Sequence, residues 1–197
     1  DRRPYLLQMG EKMNVFYLSA YEDMCAQMHN DSHCSKMIIE YAQLMSTAHR
    51  TMDGEMYYGL TKNGRKIKRW KMDDDVMETT LYKASHINHP SGIWVRQSAK
   101  NYRWLYRMWT ELNTEFMWRY GKDVPHESYR KLNELLFNIP KNMKEGVFTE
   151  PTPAMPDDVK NESSLVAYRD YYVKYKQHLA SWKRRGVPDW YEFQNAA

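Results

Sequence analysis

The sequence predicts a mainly α-helical single domain with a short N-terminal strand and a small β-hairpin. Three observations lead there. Apolar residues recur at three- and four-residue steps over several long stretches, which is the helical period. One run, Val15-Phe16-Tyr17-Leu18, lacks that period and is rich in strand formers. One Asn-Gly pair, Asn63-Gly64, offers two residues that tolerate positive φ, the requirement of a tight hairpin turn. With 42% apolar residues over 197 positions, the chain has enough material for one core.

Taken in order, residues 1–12 show no period and read as an N-terminal extension, so the domain starts near Met13 and runs through residue 197. The strand follows at Asn14–Leu18, then a helix over Glu22–Asn30 and a longer one over Ser32–Arg50. On the longer helix Met37, Tyr41, Leu44, Met45 and Ala48 form an apolar stripe that must face a core. His33, Lys36, Glu40, Gln43, Thr47 and Arg50 share the opposite face. The hairpin spans roughly Met52–Lys71 around Asn63-Gly64. Asp73-Asp74-Asp75 opens a helix reaching Ser85, because acids suit a helix N-terminus. A turn at His86–Ser91 leads into a long helix from Gly92 to Tyr120, ended by Gly121. Glu127–Asn138 is a shorter helix. Residues 140–162 hold four of the eight prolines and form a long surface excursion. A last helix runs from Ser163 to Arg185, with Tyr168, Tyr172, Tyr175, Leu179 and Trp182 inward, and Gly186 ends it.

The two cysteines, Cys25 and Cys34, are too few for a disulfide framework or a metal cluster and read as buried small apolar groups. No apolar run approaches a membrane span and no leader pattern opens the chain. The expectation is a soluble protein of the reducing cytoplasm. The net charge of +4 is mild, so only clustering of the cations bears on partners.

They do cluster. Arg96, Lys100, Arg103 and Arg107 step along one face of the long helix, with Tyr102, Trp104, Tyr106 and Trp109 between them. The hairpin carries Arg65, Lys66, Lys68 and Arg69, flanked by Lys62 and Lys71, and Lys183-Arg184-Arg185 is a third basic element. Guanidinium groups bind phosphate bidentately and aromatic rings stack on unpaired bases, so DNA is the expected partner.

Candidate chemistry gathers at His29-Asn30-Asp31-Ser32-His33 and the helix face behind it. His29 and His33 at one helical turn suit a shared metal, completed by Asp31 or Glu40, but Asn30 stands where zinc proteases carry Glu. A helix cap flanked by two half-exposed histidines is the favoured reading of that pentapeptide. Glu40, among Lys36, Gln43 and Arg50, is the leading carboxylate, held ionised by its cationic neighbours, and His29, His33 and Lys36 complete the candidate catalytic set. The alternative for this face is a solvated i,i+4 ion pair. His86 and His89 either cap the long helix or meet an anion. No cofactor and no metal set is assigned.

Met13-Asn14-Val15-Phe16, the His- and Glu-bearing first helical pair, and Asn88-His89-Pro90 before a long aromatic helix resemble an uncharacterised family of tailed-phage proteins over most of the chain from Met13. More loosely, in short motifs, the set resembles the pyrimidine-dimer DNA glycosylases, whose closing aromatic segment is similar to Pro188-Asp189-Trp190-Tyr191. That resemblance implies a helical fold, a catalytic carboxylate at Glu40, a helix histidine at His29 and a phosphate contact at Arg96. It also implies a nucleophilic α-amine at the chain start, usable near neutrality because its pKa is about 8. Twelve residues precede Met13 here, so the amine is displaced or a lysine such as Lys36 replaces it. The expected function is a DNA-acting enzyme with base-excision (glycosylase or lyase) or base-modifying activity, located in the host-cell cytoplasm if phage-encoded. The alternatives are a metal-dependent hydrolase using the His/Asp cluster with His49, and a non-catalytic module binding nucleic acid or a host protein.

Overall fold

A computed structural model describes residues 13–193; the predicted extension at 1–12 lies outside the described residues. The fold is mainly α, with seven helices and one two-stranded antiparallel sheet among the described residues. In chain order these are α1 (Glu22–Met28), α2 (Asp31–Asp53), β1 (Glu55–Leu60), β2 (Lys66–Lys71), α3 (Asp75–Thr80), α4 (Pro90–Gln97), α5 (Ala99–Tyr120), α6 (Glu127–Phe137) and α7 (Ser164–Tyr175). No helix among the described residues is long and apolar enough to cross a membrane.

The centre is α2 against α5, with α1, α4 and α6 packed around that pair. All five residues of the predicted α2 stripe are buried. From α5 the indole of Trp109 donates to the Ile38 carbonyl at 2.8 Å, so this large ring satisfies its polar edge inside the core.

Met13–Leu18 is buried, but the strand expected over Asn14–Leu18 does not form: the segment pairs with no strand among the described residues. Side chains take its backbone bonds instead. Phe16 N–H donates to the Tyr41 hydroxyl, Cys25 Sγ donates to the Phe16 carbonyl, and Arg169 Nε donates to the Leu18 carbonyl. Phe16 then stacks on His33 at 4.2 Å and meets the rings of Tyr168, Tyr171 and Tyr172 on α7. The segment is therefore a strut clamped between α2 and α7.

The long helix expected over 92–120 is two. Ser98 breaks it with an extended backbone, and its hydroxyl accepts from Asn101 N–H as the α5 cap. The excursion at 140–162 braces the break. Ala99 N–H donates to the Lys144 carbonyl, Ser98 Oγ to the Val147 carbonyl, and Thr149 exchanges two bonds with Asn101. Gly121 ends α5 in the left-handed region as expected. The helix expected to reach Arg185 stops at Tyr175. Beyond it Ser181 and Trp182 are held to the α1–α2 corner through Asp31 and the Met28 carbonyl, contacts that a continuous helix would forgo.

The hairpin turn is also longer than its Asn-Gly pair suggests. Leu60 pairs with Lys66, and Thr61 N–H still donates to Arg65, which leaves Lys62-Asn63-Gly64 as the loop. Gly64 alone takes positive φ (73°), following an i→i+3 bond from Gly64 N–H to Thr61. This is a three-residue loop with one left-handed position.

Candidate nucleic-acid interface

The predicted catalytic face is divided between core and surface. His29 lies at the C-terminal end of α1 and is buried. Its Nδ1 donates to the Cys25 carbonyl at 2.7 Å, so its Nε2 accepts from the Tyr41 hydroxyl, also at 2.7 Å. His33, buried rather than half-exposed, has Nδ1 2.6 Å from the Tyr172 hydroxyl. Burial, reinforced by Arg119, pushes the His29 imidazole down to about 4, and burial likewise holds His33 well below its ordinary 6.5. The cap of α2 is Asn30, whose side chain accepts from His33 N–H, so Asp31 begins the helix proper. Asp31 accepts instead from Arg119, Ser181 and Lys183 N–H. Lys36 is exposed and Glu40 half-buried on the next turns, while Arg50, at the far end of the same stripe, is buried. His49 is buried against Tyr102 at 2.9 Å. Among the described residues no three or more His, Cys, Asp or Glu side chains are grouped to hold a metal.

The basic stripe expected along one helix straddles the Ser98 break, and most of it is occupied. Arg96 turns inward and donates to the Ile87 carbonyl at 2.6 Å. Arg103 pairs with Glu145 at 3.0 Å and Arg107 with Glu22 at 2.8 Å. Lys100 is exposed. His89 is the cap of α4, its Nδ1 accepting from Ser91 N–H, which is the capping role expected for it. Lys183-Arg184-Arg185 folds back on the body. Arg185 forks onto Glu115 with two bonds of 2.9 Å, Arg184 lies 4.5 Å above the Trp118 ring, and Lys183 lies over Tyr120.

The hairpin differs from both. Lys62, Arg65, Lys66, Lys68, Arg69 and Lys71 make no ion pair among the described residues. Lys71 stands opposite Glu55 in register, and Lys66 Nζ sits 4.1 Å above the Tyr58 ring. Alternation puts Met56, Tyr58, Leu60, Lys66, Lys68 and Trp70 on one face and Tyr57, Ile67, Arg69 and Lys71 on the other. Tyr57, Tyr58 and Leu60 are 48%, 54% and 73% exposed, so this two-stranded ribbon shows water both rings and cations.

Arg50 holds the ribbon to the body. Its guanidinium reaches from the end of α2 to the carbonyls of Trp70, Glu78, Leu81 and Tyr82 and to the Glu78 carboxylate, five bonds of 2.8–3.0 Å. Glu78 also accepts from Met72 N–H, and these donors hold its carboxyl below the ordinary carboxylate range despite the opposing effect of partial burial. At Gly54, just past α2, an added Cβ would lie 2.5 Å from the helix's own Arg50 carbonyl oxygen and 3.1 Å from the Lys71 carbonyl oxygen of β2.

No family model, curated protein or solved structure matches this chain.

The sequence flagged the cations of the ribbon through their density. It gave no signal for its exposed rings, Tyr57 and Tyr58, because tyrosines elsewhere in the chain, such as Tyr41 and Tyr168, are core.

Proposed function

We propose that this protein binds nucleic acid and that the β1–β2 ribbon is the contacting element. The observation that carries the reading is the state of the cations. Arg96, Arg103, Arg107 and Arg185 are bonded to carbonyls or carboxylates, whereas the six cations of the hairpin make no ion pair among the described residues; five of them are exposed, and the half-buried Arg69 reaches only the Ala84 carbonyl, at 3.5 Å. Ion pairs formed beforehand must be broken before a phosphate is met, while unpaired cations release counterions directly. The exposed tyrosines of the ribbon can also stack on bases. The reading is one of binding. The histidines once grouped with Glu40 and Lys36 spend their rings on hydrogen bonds within the core.

The test is fluorescence anisotropy on labelled oligonucleotides across a salt series. Each phosphate contact contributes about 0.7–0.9 to the slope of log affinity on log salt. The double variant K66Q/K68Q is expected to flatten that slope by about 1.5, while R103Q/R107Q leaves it unchanged. Hairpin variants that bind as the unaltered protein does, or no binding by any form at low salt, would overturn the proposal.

A further inference from the structure

The face of the ribbon bearing Tyr57 and Arg69 does not end at the sheet. Those two residues are direct register partners, and with Trp70, Glu78 and Lys83 they line a cleft of about 140 Å³ between the hairpin and α3. A second cavity of about 610 Å³ adjoins it, sharing Thr79, Leu81 and Lys83, and opens onto Arg130 and Lys131 on α6. Through these shared residues the two cavities neighbour one another between the ribbon and α6, and together they make up the furrow.

Its charges suit a polyanion. Arg69, Lys83, Arg130 and Lys131 line it in that order. Glu78, the acid on its wall, is held by Arg50 and Met72 N–H. Arg130 and Lys131 pair with Glu127 through side chains 55–59% exposed, pairs as open to water as those of Arg103 and Arg107, so the cations that set this site apart are Arg69 and Lys83, which make no ion pair among the described residues. The exposed acids Asp73, Asp74 and Asp75 stand at the N-terminal end of α3, whereas the furrow runs past its C-terminal end.

Resting on the ribbon as a nucleic-acid contact, we infer that the ligand is a single strand, stacked on Tyr57 and laid along this furrow past Lys83 to Arg130 and Lys131. A duplex keeps its bases stacked inside, whereas a single strand offers bare bases to a ring and its backbone to a line of cations.

Anisotropy with a labelled oligothymidylate and with a duplex of equal length tests this on the full chain. The expected result is at least tenfold tighter binding of the single strand. Y57A, K83E and R130E/K131E should each weaken it by about tenfold, with circular dichroism and melting unchanged. Three substitutions at separate points guard against one that fails to fold. If K66Q/K68Q weakens binding but the furrow variants do not, or the duplex binds as tightly, the furrow is refuted and the ribbon contact stands. If K66Q/K68Q and Y57A both bind normally, the ribbon reading falls and the furrow with it; if Y57A and the other furrow variants weaken binding while K66Q/K68Q does not, the contact lies on the Tyr57 face and the furrow stands.

Discussion

Replacing Arg50 by Met removes the five hydrogen bonds that fasten the ribbon and α3 to the end of α2, while keeping an unbranched side chain of similar reach. Glu78 is 31% exposed on its side chain and regains water in part, so its charge is not stranded. The four carbonyls are the larger loss. Water cannot enter freely where Arg50 is 3% exposed, and each acceptor left bare costs about 1 kcal/mol or more. Removing one partner of a buried, hydrogen-bonded pair costs about 3–5 kcal/mol in general. The exposure of Glu78 places this site near the lower end, about 3 kcal/mol. For a chain of this size that lowers Tm by roughly 6–12 °C. R50K retains the charge but not the planar fork and should recover less than half of the loss. Thermal melting gives the global cost, and hydrogen exchange at Trp70 and Leu81 shows where it falls. A Tm within about 2 °C of the unaltered protein would mean that Arg50 is not the fastening.

Three further outcomes follow from the same packing. His29 and His49 are depressed to about 4 by burial, so between pH 6.5 and pH 4 the unfolded chain binds protons that the folded chain refuses; urea midpoints should fall as pH drops through that window, and a flat profile from pH 6.5 to pH 5 would contradict the buried neutral state. Cys25 and Cys34 are buried, with burial pushing both thiols up to about 12, so a thiol reagent at pH 8 should label neither until urea unfolds the chain, and rapid native labelling would place them elsewhere. G54A should destabilise by about 1–3 kcal/mol in urea titration, because the atoms met by its Cβ are mostly backbone and cannot yield, and a loss below about 0.5 kcal/mol would show that the backbone at the end of α2 gives way easily.

How legible this fold is in the sequence depends on how local the deciding forces are. The apolar stripe of α2 is periodic and was read correctly to the residue, since burial there follows from spacing alone. The polar stripe opposite was read as one face, yet His33, Thr47 and Arg50 are buried while Lys36 is exposed. Segments far along the chain cover its two ends, Tyr172 over His33 and the Leu81–Tyr82 carbonyls over Arg50, and no spacing rule reports such coverage. The Ser98 break carries a capping signal only in its hydroxyl, without Gly or Pro, and it is fixed by the 144–149 brace. The cationic hairpin was visible as composition. Which basic elements remain unpaired was not, because Glu22, Glu115 and Glu145 meet their arginines across 42–85 intervening steps of sequence.

The α1–α2 corner has a consequence for the order in which the chain assembles. Arg119 closes it by donating to the His29 and Gln27 carbonyls, 90 and 92 positions earlier, and Asp31 then accepts from Lys183 N–H, 152 positions later. Each closure confines a very long loop, whose entropic cost must be met before the bond repays it. During synthesis α1 and α2 can coil and collapse early, but their junction stays unfinished until residue 119 has emerged and unlatched until residue 183 has. A ribosome paused between those points would present a nearly complete bundle whose Asp31 still lacks its partner from residue 183, and arrested chains of graded length should gain protease resistance in two steps.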